Sequence, residues 1–126
     1  MDKYYMENEK KHVTTCIMTN HPTVTDKLMK KGAAFAGMMT TAHCNKTDAS
    51  KFVGITKCHE LDTPNTTTGH HISSSRADLA YHRALAKDLK DVKEALLEEI
   101  AIIEALEKHE SKMIDKTKAF IEVLKK

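Results

Sequence analysis

The sequence lacks most of the features that announce a function. It has no tryptophan and only three tyrosines and three phenylalanines. Glycine occurs four times, at Gly32, Gly37, Gly54 and Gly69, with none of the spacings of a phosphate-cradling loop, which excludes nucleotide binding by a standard glycine-rich turn. The three cysteines, Cys16, Cys44 and Cys58, are odd in number and widely spaced, which argues against a disulfide framework and fits a reducing compartment. Neither sign of charge dominates: 20 Lys and Arg stand against 18 Asp and Glu, a formal charge of +2. A nucleic-acid partner is therefore not expected. Eight histidines would add positive charge on acidification. No apolar run approaches the roughly 18 residues needed to cross a bilayer. The start, MDKYYMENEKKH, lacks the apolar core of a secretory signal, so no membrane partner and a cytoplasmic location are the expectations.

What is present is the composition of a folded protein, 40% hydrophobic and 30% charged, in a chain of 126 residues. That length suits one compact domain or one small domain with an extended arm. A polar stretch, TPNTTTG at 63–69, divides it. The expected organisation is a small N-terminal α/β-like domain over 1–62, a polar linker over 63–72 and a helical oligomerisation segment over 73–126.

From Ser75 onward there is neither glycine nor proline, and the segment is rich in Ala, Leu, Glu and Lys. Ser73, Ser74 and Ser75 are candidate N-caps, with Asp78 three residues after Ser75. Leu85, Leu89, Val92, Leu96, Ile100 and Ile103 are spaced by three and four and share one face, the expected oligomer interface. Leu106, Met113 and Phe120 continue at seven-residue intervals, with Ile114, Ile121 and Leu124 beside them. An unbroken helix of this length is far longer than so small a domain is wide. Either it breaks near Lys108-His109-Glu110-Ser111, or a second copy buries it. Self-association is the preferred reading.

In the first half, the β-branched and apolar runs His12 to Thr19 and Lys51 to Cys58 read as strands. Thr25-Asp26 opens a helix expected to reach about Ala42, whose small residues Gly32, Ala33, Ala36 and Gly37 imply a tight contact. Strand, helix, strand is the order of a β-α-β unit; two strands rarely make a stable sheet, so a partner chain is a candidate to complete it. The fold class is α+β with a helical majority, a strand-helix-strand unit followed by a long C-terminal helix or helical hairpin, with all-α as the alternative.

Two mirrored pairs, His43-Cys44 and Cys58-His59, have the composition of a zinc site but not its spacing, because neighbouring side chains diverge and paired ligands normally lie two to four residues apart. No metal and no cofactor are expected. A looser site would draw on Cys44, Cys58 and one of His59, His70 or His71. Partner-binding candidates are Arg76, Tyr81 and Arg83, whose side-chain types dominate binding hot spots, with the imidazoles of His70 and His71. His82, between Leu79 and Leu85, reads as a packing residue. No catalytic residue is assigned.

Cys16-Ile17-Met18-Thr19, His21-Pro22-Thr23-Val24 and the small-residue run Lys31 to Met39 resemble the first strand and helix of the type-2 peptidyl-tRNA hydrolase group. The likeness carries no catalytic residue across, and the helical C-terminal half departs from that family's pattern. The expected function is a non-enzymatic, self-associating binding or adaptor protein that engages or sequesters a host macromolecule or small ligand, of a size that suits an accessory or inhibitor protein of a virus or phage. The alternative is a small hydrolase-like enzyme using Cys and His.

Overall fold

The structure is a computed structural model that describes residues 1–33, 46–58 and 65–126. Its element order is β1 (Asp2–Asn8), β2 (Val13–Thr19), α1 (Val24–Lys30), β3 (Phe52–Lys57) and a helix, here α2, over Thr66–Leu124. This is an α+β fold with a helical majority, as expected; the sheet excludes the all-α alternative. The chain forms two compact units, Met1–Val92 and Lys93–Lys126, so α2 contributes residues to both.

The sheet is three-stranded and antiparallel throughout, in the order β1-β2-β3. The two expected strands are present, but they are neighbours running in opposite directions, not the parallel pair of a β-α-β unit. The third strand comes from the chain's own N-terminus, so no partner is needed to complete the sheet. Asp2–Asn8 pairs with β2 along its whole length, from Asp2 opposite Thr19 to Asn8 opposite Val13. The hairpin closes where Asn8 Oδ1 accepts the Lys11 amide at 3.1 Å and His12 takes a left-handed φ of 52°.

Register decides which residues form the core. Lys3, Met18 and Phe52 lie side by side, then Tyr5, Cys16 and Gly54, then Glu7, Thr14 and Thr56. This face packs on the first part of α2, where Cys16, Met18, Ala77 and Tyr81 form a buried cluster flanked by Phe52 and Leu85. Gly54 allows that contact: a Cβ there would collide with the Ser73 carbonyl and the Ala77 amide of the helix. A second cluster, Val24 and Val92 with Leu28 and Leu85, holds α1 against the same helix.

Helix α1 is shorter than expected. Thr23 caps it in a reciprocal box with Asp26, and Lys31, Gly32 and Ala33 end it. The Ala33 amide donates to Leu28 O at 3.1 Å and the Gly32 amide to Met29 O at 3.0 Å, with Gly32 at φ 86°. That is a Schellman stop. Gly32 thus serves a left-handed turn, and among the described residues a Cβ there would meet nothing within 4 Å. The rest of the expected helix, including Ala36, Gly37 and Ala42, lies outside the described residues.

Helix α2 begins earlier than expected. Asn65 is its cap, accepting the Thr68 amide at 3.0 Å on its side chain, so residues 66–72 are helix rather than linker and the Ser73 to Ser75 caps are not used. Ser73 is buried, donating to His70 O, and Ser74 accepts from Lys3 Nζ at 2.7 Å. Gly69, unfavourable in a helix by about 1 kcal/mol, lies where a Cβ would come within 2.8 Å of Thr14 Oγ1. The helix runs without a break through Lys108 to Ser111, so the hairpin option does not hold.

Candidate functional site

The polar candidates mostly serve the first unit's own packing. Tyr81 is buried and donates its hydroxyl to the Pro22 carbonyl at 2.7 Å, amid the rings of His21, Phe52 and His82. Burial raises its phenol pKa, with a smaller push from Asp26. His70 Nε2 donates to Glu7 Oε1 at 2.8 Å, and the ring stacks on Tyr5 with ring centroids 4.1 Å apart. Arg76 donates to the Ile55 carbonyl of β3 at 2.6 Å. His71 and Arg83 are exposed, and His82 is exposed beside Tyr81 rather than packed between leucines.

Sequence reasoning missed the most connected polar group in the unit. Asp88 is fully buried on α2 and accepts from the Lys46 amide (3.0 Å), the Thr47 amide (2.8 Å) and the Thr47 hydroxyl (2.7 Å). Thr47 Oγ1 in turn accepts the Val24 amide at 2.8 Å, satisfying a donor at the open start of α1. Thr47 O accepts from His21 Nε2 at 2.8 Å, while His21 Nδ1 is buried without a hydrogen-bond partner among the described residues. Nothing local in the sequence marks Asp88, since its partners lie 41 and 42 residues away.

For thiol chemistry the described residues offer little. Cys16 is buried, and burial pushes its thiol pKa up, only partly offset by Lys3 and a hydrogen bond involving Tyr5. A nucleophilic cysteine needs the opposite shift. Cys58 is half-buried, and its amide donates to the His12 carbonyl at 2.9 Å. Among the described residues no three His, Cys, Asp or Glu side chains converge in a metal-holding group. His43, Cys44 and His59 lie outside the described residues, and with them the mirrored pairs.

Among the described residues, the first unit offers a groove and an apolar sheet face for binding. A groove of about 590 Å³ lies at one end of the sheet, between the β1-β2 turn and the start of α2, lined by Glu7, His12, Thr14, Cys58, Thr66 and Ile72 among others. The sheet face turned away from α2 carries Tyr4, Met6, Val53 and Ile55, all exposed, in adjacent register rows with half-buried Ile17.

The second unit is one helical segment, and of its side chains only Ala95 is even half-buried. Leu96, Leu97, Ile100, Ile102, Ile103, Leu106, Met113, Ile114, Phe120, Ile121, Val123 and Leu124 are between 41% and 68% exposed. The six expected interface residues therefore divide: Leu85 and Val92 are covered within the first unit, whereas Leu89, Leu96, Ile100 and Ile103 are uncovered. No described helix is long and apolar enough to cross a membrane.

Comparison with family models, with curated proteins and with solved structures finds no match for this chain. The resemblance drawn from Cys16 to Met39 has no support there, and within its span the helix stops at Lys30.

Proposed function

We propose that this is a non-enzymatic, self-associating binding protein, in which residues 93–126 supply the contact between copies and the sheet-and-helix unit carries the surface that engages a macromolecule or small ligand. The observation that carries this reading is the uncovered apolar stripe of the second unit. An exposed helix with that many leucines and isoleucines is poorly soluble alone and marginally stable, whereas a partner helix would bury the stripe. The burial that raises the Cys16 pKa makes that thiol a poor nucleophile. Light scattering over a concentration series tests the reading: a dimer or larger species at micromolar protein is expected, and a monomer throughout would refute it.

A further inference from the structure

The charges of the second unit are sorted along its length. Glu94, Glu98, Glu99, Glu104 and Glu107 follow one another with no lysine or arginine between Glu94 and Glu107. From Lys108 to the end stand Lys108, Lys112, Lys116, Lys118, Lys125 and Lys126, against Glu110, Asp115 and Glu122. The helix macrodipole does not explain the acidic block. Its effect is confined to the first turn, and α2 starts at Thr66, far upstream of Glu94. Intrahelical pairing accounts for only part of it: Lys90 and Glu94, and Glu104 and Lys108, are four apart, and Lys125 lies 3.8 Å from Glu122, but Glu98, Glu99 and Glu107 have no lysine or arginine three or four residues away. Glu94 and Glu98 are four apart, as are Lys108, Lys112 and Lys116, and like charges at that spacing are unfavourable.

The stripe itself carries the same asymmetry. Leu96, Glu99, Ile103, Leu106, Glu110, Met113, Thr117, Phe120 and Leu124 alternate steps of three and four, so Glu99 and Glu110 lie within the apolar face, and Lys118 and Lys125 flank its far end. Parallel pairing in register would press Glu99 and Glu110 each against its own copy in the seam. Antiparallel pairing avoids this. A twofold axis near Lys108 sets Leu96 level with Phe120 and Ile103 level with Met113, and brings Glu99 beside Thr117 and Lys118 of the other copy.

Building on the self-association reading, we infer that residues 93–126 bind the same segment of a second copy in antiparallel orientation, the acidic half of each helix against the basic half of the other. The pair is held by the apolar seam and oriented by charge. Dissociation is therefore promoted by salt, more than a purely apolar seam would allow.

The test uses the unaltered protein. Unlabelled and ¹⁵N-labelled chains are mixed, allowed to exchange and coupled with a zero-length carbodiimide, and links between light and heavy chains are mapped by mass spectrometry. Links from Glu98 or Glu99 of one chain to Lys118 of the other are expected. Mixed links confined to neighbours in sequence, such as Glu94 to Lys93, in a species of dimer mass would overturn the orientation and leave self-association standing. A monomer mass without mixed links would overturn both. A charge cycle gives a second reading: Glu99→Lys alone, or Lys118→Glu alone, weakens the dimer about tenfold, and the two changes together restore it. Failure of the double variant to recover would contradict the antiparallel pair.

Discussion

Helix α2 presents two solutions to the same problem. Within the first unit, residues 66–92 spend their apolar face on the sheet and on α1: Ala77, Tyr81 and Val92 are buried and Leu85 is shared between two clusters. From Lys93 on, the residue types are much the same, yet none of the large apolar side chains is buried. Helical periodicity specifies that a face exists, but what covers it is decided by the rest of the chain. Gly54, Cys16 and Met18 cover the first stretch, and among the described residues nothing covers the second.

The largest effect should come from the place where helix and sheet touch most closely. Gly54→Ala forces a methyl group into the Ser73 carbonyl and the Ala77 amide, and should cost about 3 kcal/mol or unfold the first unit, read by urea denaturation. A native melting curve would show that helix and sheet are not in contact there. The matching change in the second unit is Leu96→Asp with Ile103→Asp. It should weaken self-association by about a hundredfold, roughly 2.7 kcal/mol, while the Tyr81 environment seen in near-ultraviolet circular dichroism stays native. Loss of the tyrosine signal as well would mean that the two stretches are not energetically separate.

Smaller effects sharpen the picture of the first unit. Asp88→Ala leaves the Lys46 and Thr47 amides without their acceptor and should cost about 2 kcal/mol in denaturant, without altering the mass in solution. Raising the pH should destabilise this unit. Cys16 and Tyr81 have folded pKa values above their ordinary 9.0 and 10.0. The unfolded chain therefore loses those protons first, so the stability they contribute is intact below pH 9 and declines as pH rises through the folded values. Cys16→Ala should remove the lower part of that decline. His12→Gly relieves a left-handed residue at φ 52° and should stabilise by about 0.5 kcal/mol after the added freedom of the unfolded chain is counted.

The strands at Val13–Thr19 and Phe52–Lys57 were legible because β-branched residues cluster there, and the long helix because Gly and Pro are missing after Ser75. The strand Asp2–Asn8 was not, because its Tyr-Tyr-Met centre is short and flanked by charges; it is a strand through its pairing with β2. The start of α2 was misplaced for a related reason. Thr, Asn and Gly favour loops locally, and contacts distant in sequence, of His70 with Glu7 and Tyr5 and of Ser74 with Lys3, hold the start of the helix against the sheet. Of the candidate site, the uncovered apolar positions were readable from spacing. Which of them the fold would cover was not, since that depends on strand register and on an Asp88 network joining residues far apart in sequence.

The contrast between the two stretches of α2 is tested most directly by amide hydrogen exchange, followed peptide by peptide at high and low protein concentration. Protection of residues 66–92 should be the same at both concentrations, because their cover lies within the chain. Protection of residues 93–124 should be high in concentrated protein and fall sharply on dilution, as the partner helix is lost. Protection of 93–124 that does not change with concentration would contradict the requirement for a second copy.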